Sequence, residues 1–357
     1  MPIDPRPAVL QTELDAHGSA QARELEALNI DPTKLIDFSS NINPHGPAPA
    51  VVEAVRAAQF AAYPDPDCLV LRRALAAQHS VDVEQIMVGN GTAELIWLLA
   101  FAHLVPGDSV AILGPTFGEY ARAARLCSVS VEMLRAKASK DFVVEVEAVE
   151  RLLRHKPTLF FICNPNNPTG SILPLDVIER WSIENPYTLF VVDEAYIDFV
   201  PNMQSALTLS AHNVLVLRSM TKVHALAGLR IGYALGSKKV IHALRQVQPP
   251  WSVNALAQAA GVAAIEATDF AQKSLGRLAR DASELRTALT MVGYAPLPGV
   301  TPYFLVDVGD GAALRSKLLE HELMVRDCAS FGLPQYVRIS TQLLEQNVRL
   351  VKVLKDF

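Results

Sequence analysis

The sequence predicts an α/β protein, with a mostly parallel sheet in a large domain and a smaller α+β domain. Short apolar runs recur between residues 86 and 235, and most are followed by a helix-like segment. Continuous apolar strands that alternate with helices are typical of a parallel sheet covered on both faces. Clusters rich in Asn, Pro, Gly and Thr follow these runs, at the edge where such sheets bind ligands.

The N-terminal part of the chain contains one unusual loop. A helix is predicted around residues 20–28, and a loop dense in Asn, Pro and Gly follows over 36–47. In a compact protein such a loop is either the cover of an active site or a simple connector. Helices over 49–60 and 69–79, joined through a turn at Tyr63, come next.

The large domain, predicted over 46–248, contains six predicted strands. They lie at 86–88, 110–113, 158–163, 189–192, 214–217 and 230–235. A break at 249–251 marks the start of a small domain over 249–357, which we expect the N-terminal segment 1–45 to join. The elements predicted for the small domain are two helices within 252–292, strands at 303–308, 323–326 and 336–339, a helix over 312–321 and a final amphipathic helix.

Composition narrows the class of protein. The chain has 357 residues, 50% of them hydrophobic, which is enough for two domains. The net charge is −5 without a basic block, so no nucleic-acid partner is expected. The longest apolar run, 95–102, falls short of the ~20 residues that span a bilayer. The N-terminus shows no export signal and the four cysteines are widely spaced, which indicates a cytoplasmic protein with reduced thiols and no metal site.

The most informative residue is Lys222. It lies just past the predicted strand 214–217, between the hydroxyls of Ser219 and Thr221 and the glycine-flanked Arg230. Long cationic side chains are rarely buried without a partner or a function. One interpretation is a desolvated lysine that reacts covalently with an aldehyde, beside an anion held by its neighbours. The other is a surface loop with an ordinary lysine.

Other strand ends carry polar residues of the same kind. Backbone N–H groups at Gly91, Thr92 and Ala93, where a helix begins, suit a phosphate, although an ordinary capped turn has the same composition. Asn167 is held between prolines where its amide can donate to a ligand oxygen. Asp193 ends a run of four apolar residues, so its carboxylate needs a cationic or donor partner; otherwise it is the cap of a turn.

Four further residues have two interpretations each. Tyr196 and Phe117 are either core residues or, respectively, a donor and a stacking platform for a ring. Arg326 and Arg338 lie near the ends of small-domain strands. They are either surface charges or bidentate binders of an anion.

Pyridoxal 5′-phosphate (PLP) accounts for all of these residues together. Its aldehyde requires Lys222, its ring nitrogen a carboxylate from Asp193, and its 3′-oxygen donors from Asn167 and Tyr196. Phe117 would stack on the ring. The phosphate would be held by the remaining residues, which are Gly91, Thr92, Ala93, Ser219, Thr221 and Arg230.

Three segments together resemble one enzyme family. They are Asn-Pro-Asn-Asn-Pro-Thr-Gly at 164–170, Asp-Glu-Ala-Tyr at 193–196, and 219–233 with Ser-Met-Thr-Lys and Ala-Gly-Leu-Arg-Ile-Gly-Tyr. This combination resembles the class I/II aminotransferases of PLP fold type I, over nearly the whole chain. The resemblance implies a homodimer with active sites at the subunit interface. It also implies that Tyr63 of the Tyr-Pro turn reaches the cofactor phosphate in the partner's site.

Two branches of that family are similar to this chain. The loop 37–47, the early His17–Gly18 and the segment 325–333 resemble threonine-phosphate decarboxylases of cobalamin biosynthesis, although Ser19 stands where that branch has a second glycine. Histidinol-phosphate aminotransferases share the Asn-Pro loop, the Tyr-Pro turn and the arginine pair. We therefore expect a small phosphorylated amino substrate, with decarboxylation of L-threonine O-3-phosphate as the first hypothesis and transamination of histidinol phosphate as the alternative.

By the same resemblance, substrate contacts are expected from both domains. Arg338 and Asn167 would hold a substrate carboxylate, Arg326 a phosphate, and Asn43 would belong to the loop that closes over the substrate. Lys222, Asp193 and Tyr196 would form the catalytic set. A PLP-binding sensor without enzymatic activity and a nucleotide-binding protein are the competing hypotheses; the glycine-rich dinucleotide motif that the latter requires does not follow the strand at 86–88.

Overall fold

The computed structural model describes residues 3–12, 18 and 21–357; His17, part of the resemblance above, lies outside the described residues. The strands are β1 Ile36–Asp37, β2 Ile86–Gly89, β3 Ser109–Gly114, β4 Ser130–Arg135, β5 Leu159–Cys163, β6 Leu189–Asp193, β7 Val214–Ser219, β8 Gly232–Leu235, β9 Tyr303–Asp307, β10 Leu323–Met324, β11 Arg326–Asp327 and β12 Tyr336–Ser340. None of the helices within these residues is long and apolar enough to cross a membrane.

The helices alternate with the strands through the large domain, as predicted. They are α1 Pro7–Gln11, α2 Ala22–Ala27, α3 Pro49–Ala57, α4 Leu69–His79, α5 Gly91–His103, α6 Glu119–Leu126, α7 Val146–Leu153, α8 Leu175–Glu184, α9 Lys238–Val247, α10 Ala255–Glu266, α11 Thr268–Met291, α12 Gly311–Leu319 and α13 Leu344–Lys355. The predicted helix 49–60 ends at Ala57, because Ala58 adopts an extended backbone with ψ 136°.

A seven-stranded sheet in the order β2-β8-β7-β6-β5-β3-β4 forms the centre of the molecule. Strand β8 runs antiparallel to both of its neighbours, and the other described pairs in this sheet are parallel. The mixed α/β fold with a mostly parallel sheet is therefore confirmed. The edge strand β4 has no counterpart among the predicted strands. This strand contains polar residues and is partly exposed, so it lacks the continuous apolar run by which a central strand is recognised in the sequence.

The central strands are apolar on both faces because helices cover both faces. On β3, Val110 and Ile112 pack in one core layer, whereas Ala111 packs in the other. Phe160 and Phe161 of β5 divide between the two layers in the same way. This double coverage leaves the carboxyl edge of the sheet as the place where polar side chains of several strands meet.

A second, three-stranded antiparallel sheet, β11-β12-β9, belongs to the smaller domain, beside the parallel pair β1-β10. Phe38 of the N-terminal segment is buried in the core of this domain. The predicted strand 323–326 changes partner at Val325, since β10 pairs with β1 and β11 with β12. The start of the loop 36–47 is therefore anchored in the small domain through β1 and Phe38.

Helix α10 lies past the sequence break at 249–251 but packs on the large domain. Ala257, Ala260 and Ala264 are buried in the core layer that also contains residues of α3 and α4. At Gly261 an added Cβ would lie 2.9 Å from a methyl carbon of Leu71, so glycine permits the close approach of α10 and α4. The domain limits at 45/46 and 248/249 stay predictions.

Candidate active site

Residues from five loops at the carboxyl edge of the large sheet line one cavity of about 110 Å³. Eleven of the predicted cofactor residues line it: Gly91, Thr92, Ala93, Phe117, Asn167, Asp193, Tyr196, Ser219, Thr221, Lys222 and Arg230. They come from the start of α5, the loop after β3, the loop after β5, the end of β6 with the turn that follows it, and the end of β7 with the segment before β8. The sheet topology thus brings together residues that are up to 139 positions apart, from Gly91 to Arg230.

Lys222 lies in the turn after β7 and lines this cavity. Burial of the amine, with the nearby cations Arg338 and Arg230, lowers the pKa of Lys222 to about 8. Its Nζ lies 5.9 Å from the centre of the Tyr196 ring. A larger fraction of this amine is therefore neutral, and hence nucleophilic, than for an ordinary lysine.

Asp193, the last residue of β6, faces the same cavity. Its side chain is buried, which raises the pKa of the carboxyl, while a hydrogen bond from Tyr120 opposes that rise. Tyr120 Oη donates to Asp193 Oδ2 at 2.6 Å, and the Ala195 backbone N–H donates to Oδ1 at 3.0 Å. Both carboxylate oxygens thus have a donor, and each can accept a further one.

The opposite end of the cavity is suited to a phosphate. Helix α5, 13 residues long, begins at Gly91, whose φ of +76° favours glycine. An added Cβ on Gly91 would lie 2.9 Å from Arg230 Nη2, so the guanidinium rests against the start of the helix. Ser219 and Thr221 add hydroxyls that are hydrogen-bonded to each other at 2.7 Å. Helix N–H groups, two hydroxyls and a guanidinium are together a strong anion-binding set.

Phe117 and Tyr196 flank the cavity between these two ends. Phe117 packs edge-on against Tyr120, with ring centres 5.7 Å apart. Burial raises the pKa of the Tyr196 hydroxyl, so it stays a neutral donor at physiological pH. Both aromatic rings line the cavity, and an aromatic side chain there can pack against a flat ring of a ligand.

A larger cavity of about 380 Å³ adjoins the first and shares Lys222 with it. Arg326 and Arg338 line it, and they are directly opposite partners on β11 and β12. Like charges directly opposite each other on neighbouring strands are destabilising. Burial and the charge of Arg338 lower the pKa of Arg326. The pair therefore favours an anion in this cavity.

Arg338 connects three parts of the chain. Its Nη1 donates to Asn167 Oδ1 of the large domain, and its Nη2 donates to the Ser39 carbonyl of the N-terminal segment. Its Nε is buried without a hydrogen-bond partner among the described residues. Arg326 instead donates to Ser330 Oγ at 2.7 Å and lies over the Phe331 ring.

The loop over 36–47 contributes to this cavity through residues other than Asn43. The prediction that Asn43 contacts substrate is not supported by its geometry: its amide donates to the Val223 carbonyl at 3.0 Å and to Ser274 Oγ at 2.9 Å. Asn43 also does not line the cavity, because its side chain points into the protein. Asn41 does line it.

Asn41 and Tyr120 are site residues that the sequence analysis missed. Asn41 is 4% exposed, and neither of its amide atoms has a partner of full hydrogen-bond geometry within the described part of the chain, although the Tyr196 hydroxyl lies close to it. The amide is therefore placed to bond to a group that enters the cavity. Asn41 and Asn43 lie two positions apart in one loop, so the sequence alone could not tell which of the two side chains faces the cavity. Tyr120 could have been found from its position, because it lies three residues after Phe117, on the first turn of a helix that begins at the same edge of the sheet.

Tyr63 lies apart from the cavity of its own chain. Its side chain is 80% exposed and stacks on Trp251 at 4.5 Å between ring centres. Its predicted contact with a partner's cofactor stays a prediction. No group of His, Cys, Asp and Glu that could hold a metal ion is present in residues 3–12, 18 and 21–357.

The fold and the site together define a PLP-dependent enzyme of fold type I. The cavity offers a desolvated lysine, a buried carboxylate and an anion-binding helix start, which are the groups that PLP requires at its aldehyde, ring nitrogen and phosphate. This chain belongs to the family Aminotransferase class I and II, whose model matches residues 33–353. It is therefore an enzyme with pyridoxal 5′-phosphate as its cofactor, and the sensor and nucleotide-binding hypotheses lose their support.

Curated relatives are similar over most of their length. The histidinol-phosphate aminotransferase of Moorella thermoacetica is 32% identical over 90% of this chain and 85% of its own length. Histidinol-phosphate aminotransferase 2 of Pseudomonas aeruginosa is 34% identical over 93% of this chain and 91% of its own.

Solved structures confirm the fold. Histidinol-phosphate aminotransferase from Sinorhizobium meliloti, in complex with pyridoxal-5′-phosphate, matches with a TM-score of 0.88, 23% identity and coverage of 98% of this chain and 96% of that one. L-threonine-O-3-phosphate decarboxylase from Porphyromonas gingivalis matches with a TM-score of 0.78, 28% identity and coverage of 90% and 98%.

Proposed function

We propose that this chain binds PLP covalently through Lys222 and converts a small phosphorylated amino compound. The observation that carries the proposal is the pairing, in one cavity, of the lysine with lowered pKa and the buried Asp193 carboxylate. Asp193 holds the protonated ring nitrogen, and Asn167 and Tyr196 donate to the ring oxygen. Phe117 stacks on the ring. The phosphate contacts come from Gly91, Thr92, Ala93, Ser219, Thr221 and Arg230.

When bound, the cofactor supplies an electron sink for the bond that breaks at the substrate Cα. The protein's residues decide which bond that is and where protons go. If the substrate amine took the place of Lys222 on the cofactor, the freed lysine amine would be available as a general base, and its lowered pKa would suit proton transfer near neutral pH. Asp193 keeps the ring nitrogen protonated, because a buried carboxylate gains most by pairing with a cation.

The substrate class follows from the adjoining cavity. Arg326 and Arg338 stand directly opposite each other, and the buried amide of Asn41 faces the same space. We assign the phosphate of the substrate to these groups. Asn167 and Ser39 engage two of the five N–H groups of Arg338, so Nε–H and the second N–H of each terminal nitrogen are left for an incoming anion.

Transamination of histidinol phosphate is the activity that the curated relatives favour. That substrate has a phosphate and no carboxylate. Two arginines facing each other across neighbouring strands suit one shared dianion, and this geometry agrees with the relatives' names.

Decarboxylation of L-threonine O-3-phosphate is the second candidate, and one observation favours it. Arg338 bonds to Asn167 on the wall of the cofactor cavity and is close enough to lower the pKa of Lys222. A cation so near the reactive amine suits a carboxylate on Cα, with Arg326 left for the phosphate. The sequence similarity of the loop 37–47 to that branch points the same way.

One pair of assays distinguishes the two candidates. Purified holoenzyme is incubated with O-phospho-L-threonine in the absence of any keto acid, and carbon dioxide is measured. In parallel it is incubated with histidinol phosphate and 2-oxoglutarate, and glutamate is measured. Lys222→Ala is the control for both. Glutamate without carbon dioxide supports the aminotransferase. Carbon dioxide without glutamate supports the decarboxylase. If neither product forms, the proposed substrate class is refuted.

The chain's assembly and location are part of the proposal. We infer a cytoplasmic homodimer in which Tyr63 donates to the phosphate of the partner's cofactor. The exposed Tyr63 and the neighbouring Phe60, 81% exposed, support an interface on this face. Light scattering of the purified protein should give twice the mass of 38.8 kDa; a monomer that still binds PLP tightly would refute this role of Tyr63.

A further inference from the structure

A buried hydrogen bond links Asp193 to a residue with no assigned role. Tyr120, near the start of α6, is 0% exposed, and its hydroxyl donates to Asp193 Oδ2 at 2.6 Å. The other oxygen, Oδ1, accepts from the Ala195 backbone. Of these two donors, only the tyrosine is a side chain and can be removed by substitution.

The Tyr120 ring is packed against two aromatic rings, which fix where its hydroxyl oxygen lies. The ring stacks on Phe161 with centres 4.8 Å apart and planes 9° from parallel. Phe117, which lines the cofactor cavity, packs against its face at 85°. One side chain therefore fixes both the carboxylate and the aromatic wall of the same cavity.

The charge state of Asp193 depends on its surroundings. Burial raises the pKa of the Asp193 carboxyl and so favours its protonated form. A protonated carboxyl could not form an ion pair with a protonated ring nitrogen. The groups that face it are Tyr120 from α6, Cys163 from β5, Tyr196 after β6 and Lys222 after β7. Tyr120 itself stays protonated because burial raises its pKa far above the ordinary value, so it is a permanent donor.

We propose that Tyr120 is a positioning residue: its hydroxyl holds Asp193 ionised and directs the carboxylate at the ring nitrogen of the cofactor. This inference rests on the proposed function, since it takes Asp193 as the partner of that nitrogen. It assigns Tyr120 no contact with the substrate. A merely structural tyrosine would affect folding but not the charge of Asp193.

The test measures PLP affinity rather than turnover. Tyr120→Phe keeps the ring that stacks on Phe161 and removes only the hydroxyl. Tyr233→Phe is the matched control, because Tyr233 is also buried and its hydroxyl pairs with His79 at 2.9 Å, outside the cofactor cavity. Dissociation constants are determined by absorbance titration of each apo protein between pH 5.5 and 9, and thermal melting verifies the fold.

We expect Tyr120→Phe to weaken PLP binding about tenfold, the effect of losing one hydrogen bond to a charged group. Tyr233→Phe should stay within about twofold of the unmodified chain. The fall in affinity at acid pH should move to higher pH in Tyr120→Phe alone, because Asp193 without its donor takes up a proton more readily. In an Asp193→Asn background, Tyr120→Phe should add less than about twofold.

Other results overturn the inference. Tyr120 would have a structural role only if Tyr120→Phe and Tyr233→Phe had the same PLP affinity and lost it at the same acid pH. The same conclusion would follow if the tenfold effect of Tyr120→Phe persisted in the Asp193→Asn background. Should Tyr120→Phe melt too low to titrate, all three proteins are titrated at a temperature below its melting transition. A fall in affinity at the same acid pH in Tyr120→Phe and in the unmodified chain would then overturn the inference. If the unmodified chain itself does not bind PLP, the proposed function fails instead.

Discussion

The lowered pKa of Lys222 predicts how fast the apo protein captures its cofactor at different pH values. Only the neutral amine attacks an aldehyde. At pH 7 a pKa of about 8 leaves about one amine in ten neutral, whereas the ordinary value of 10.5 would leave about one in three thousand. Capture at pH 7 should therefore be about 300-fold faster than for an ordinary lysine at the same site.

Stopped-flow absorbance at a fixed PLP concentration measures this rate between pH 6.5 and 10. The rate should rise about tenfold per pH unit below pH 8 and level off above it. Lys222→Ala should show no covalent phase, because the chain offers no second amine in this cavity among its described residues. A rate that continues to climb tenfold per unit up to pH 10 would refute the desolvation of Lys222 on which the assignment depends.

Three further substitutions separate binding from folding. Arg338→Gln should raise the substrate KM about 10- to 100-fold, as expected for a lost charged hydrogen bond, with PLP affinity as the internal check. Gly91→Ala should displace Arg230 and weaken PLP binding in a titration, whereas Gly107→Ala, with φ of +103° and open space around it, should lower only the melting temperature. Asn43→Ala should cost about 1–3 kcal/mol of stability in denaturant unfolding and leave KM unchanged; a changed KM at full stability would restore Asn43 as a substrate contact.

Most strands of the large domain, and the residues that meet in the cavity at its sheet edge, could be predicted because their signals are local. A buried parallel strand reads as an apolar run, and the residue after it lies at the sheet edge by geometry alone. Asp193 and Lys222 are both found in this way. Strand β4 escapes the same rule because its side chains, such as Glu132, are partly exposed at the sheet edge.

The parts that sequence could not predict depend on long-range packing. Asn41 and Asn43 have the same side chain two positions apart, and only the contact of Asn43 with Ser274, 231 residues away, decides which one is structural. The break at 249–251 likewise suggests a new domain, yet α10 packs on α3 and α4. Neither outcome is encoded in the local pattern of hydrophobic residues.

The distribution of charge suggests why one cofactor site can serve different reactions. The residues around Lys222 and Asp193 belong to the large sheet and are common to both candidate chemistries. Arg338 instead belongs to the small domain, yet it bonds to Asn167 in the large one and to the Ser39 carbonyl in the N-terminal segment. An anion that displaced Asn167 or the Ser39 carbonyl from Arg338 would also break a link between these parts of the chain. Arg338 lines the adjoining cavity but not the smaller cavity around Lys222 and Asp193. A change at Arg338 should therefore affect the substrate more than the affinity for PLP, and the KM and the PLP dissociation constant of Arg338→Gln measure the two effects separately.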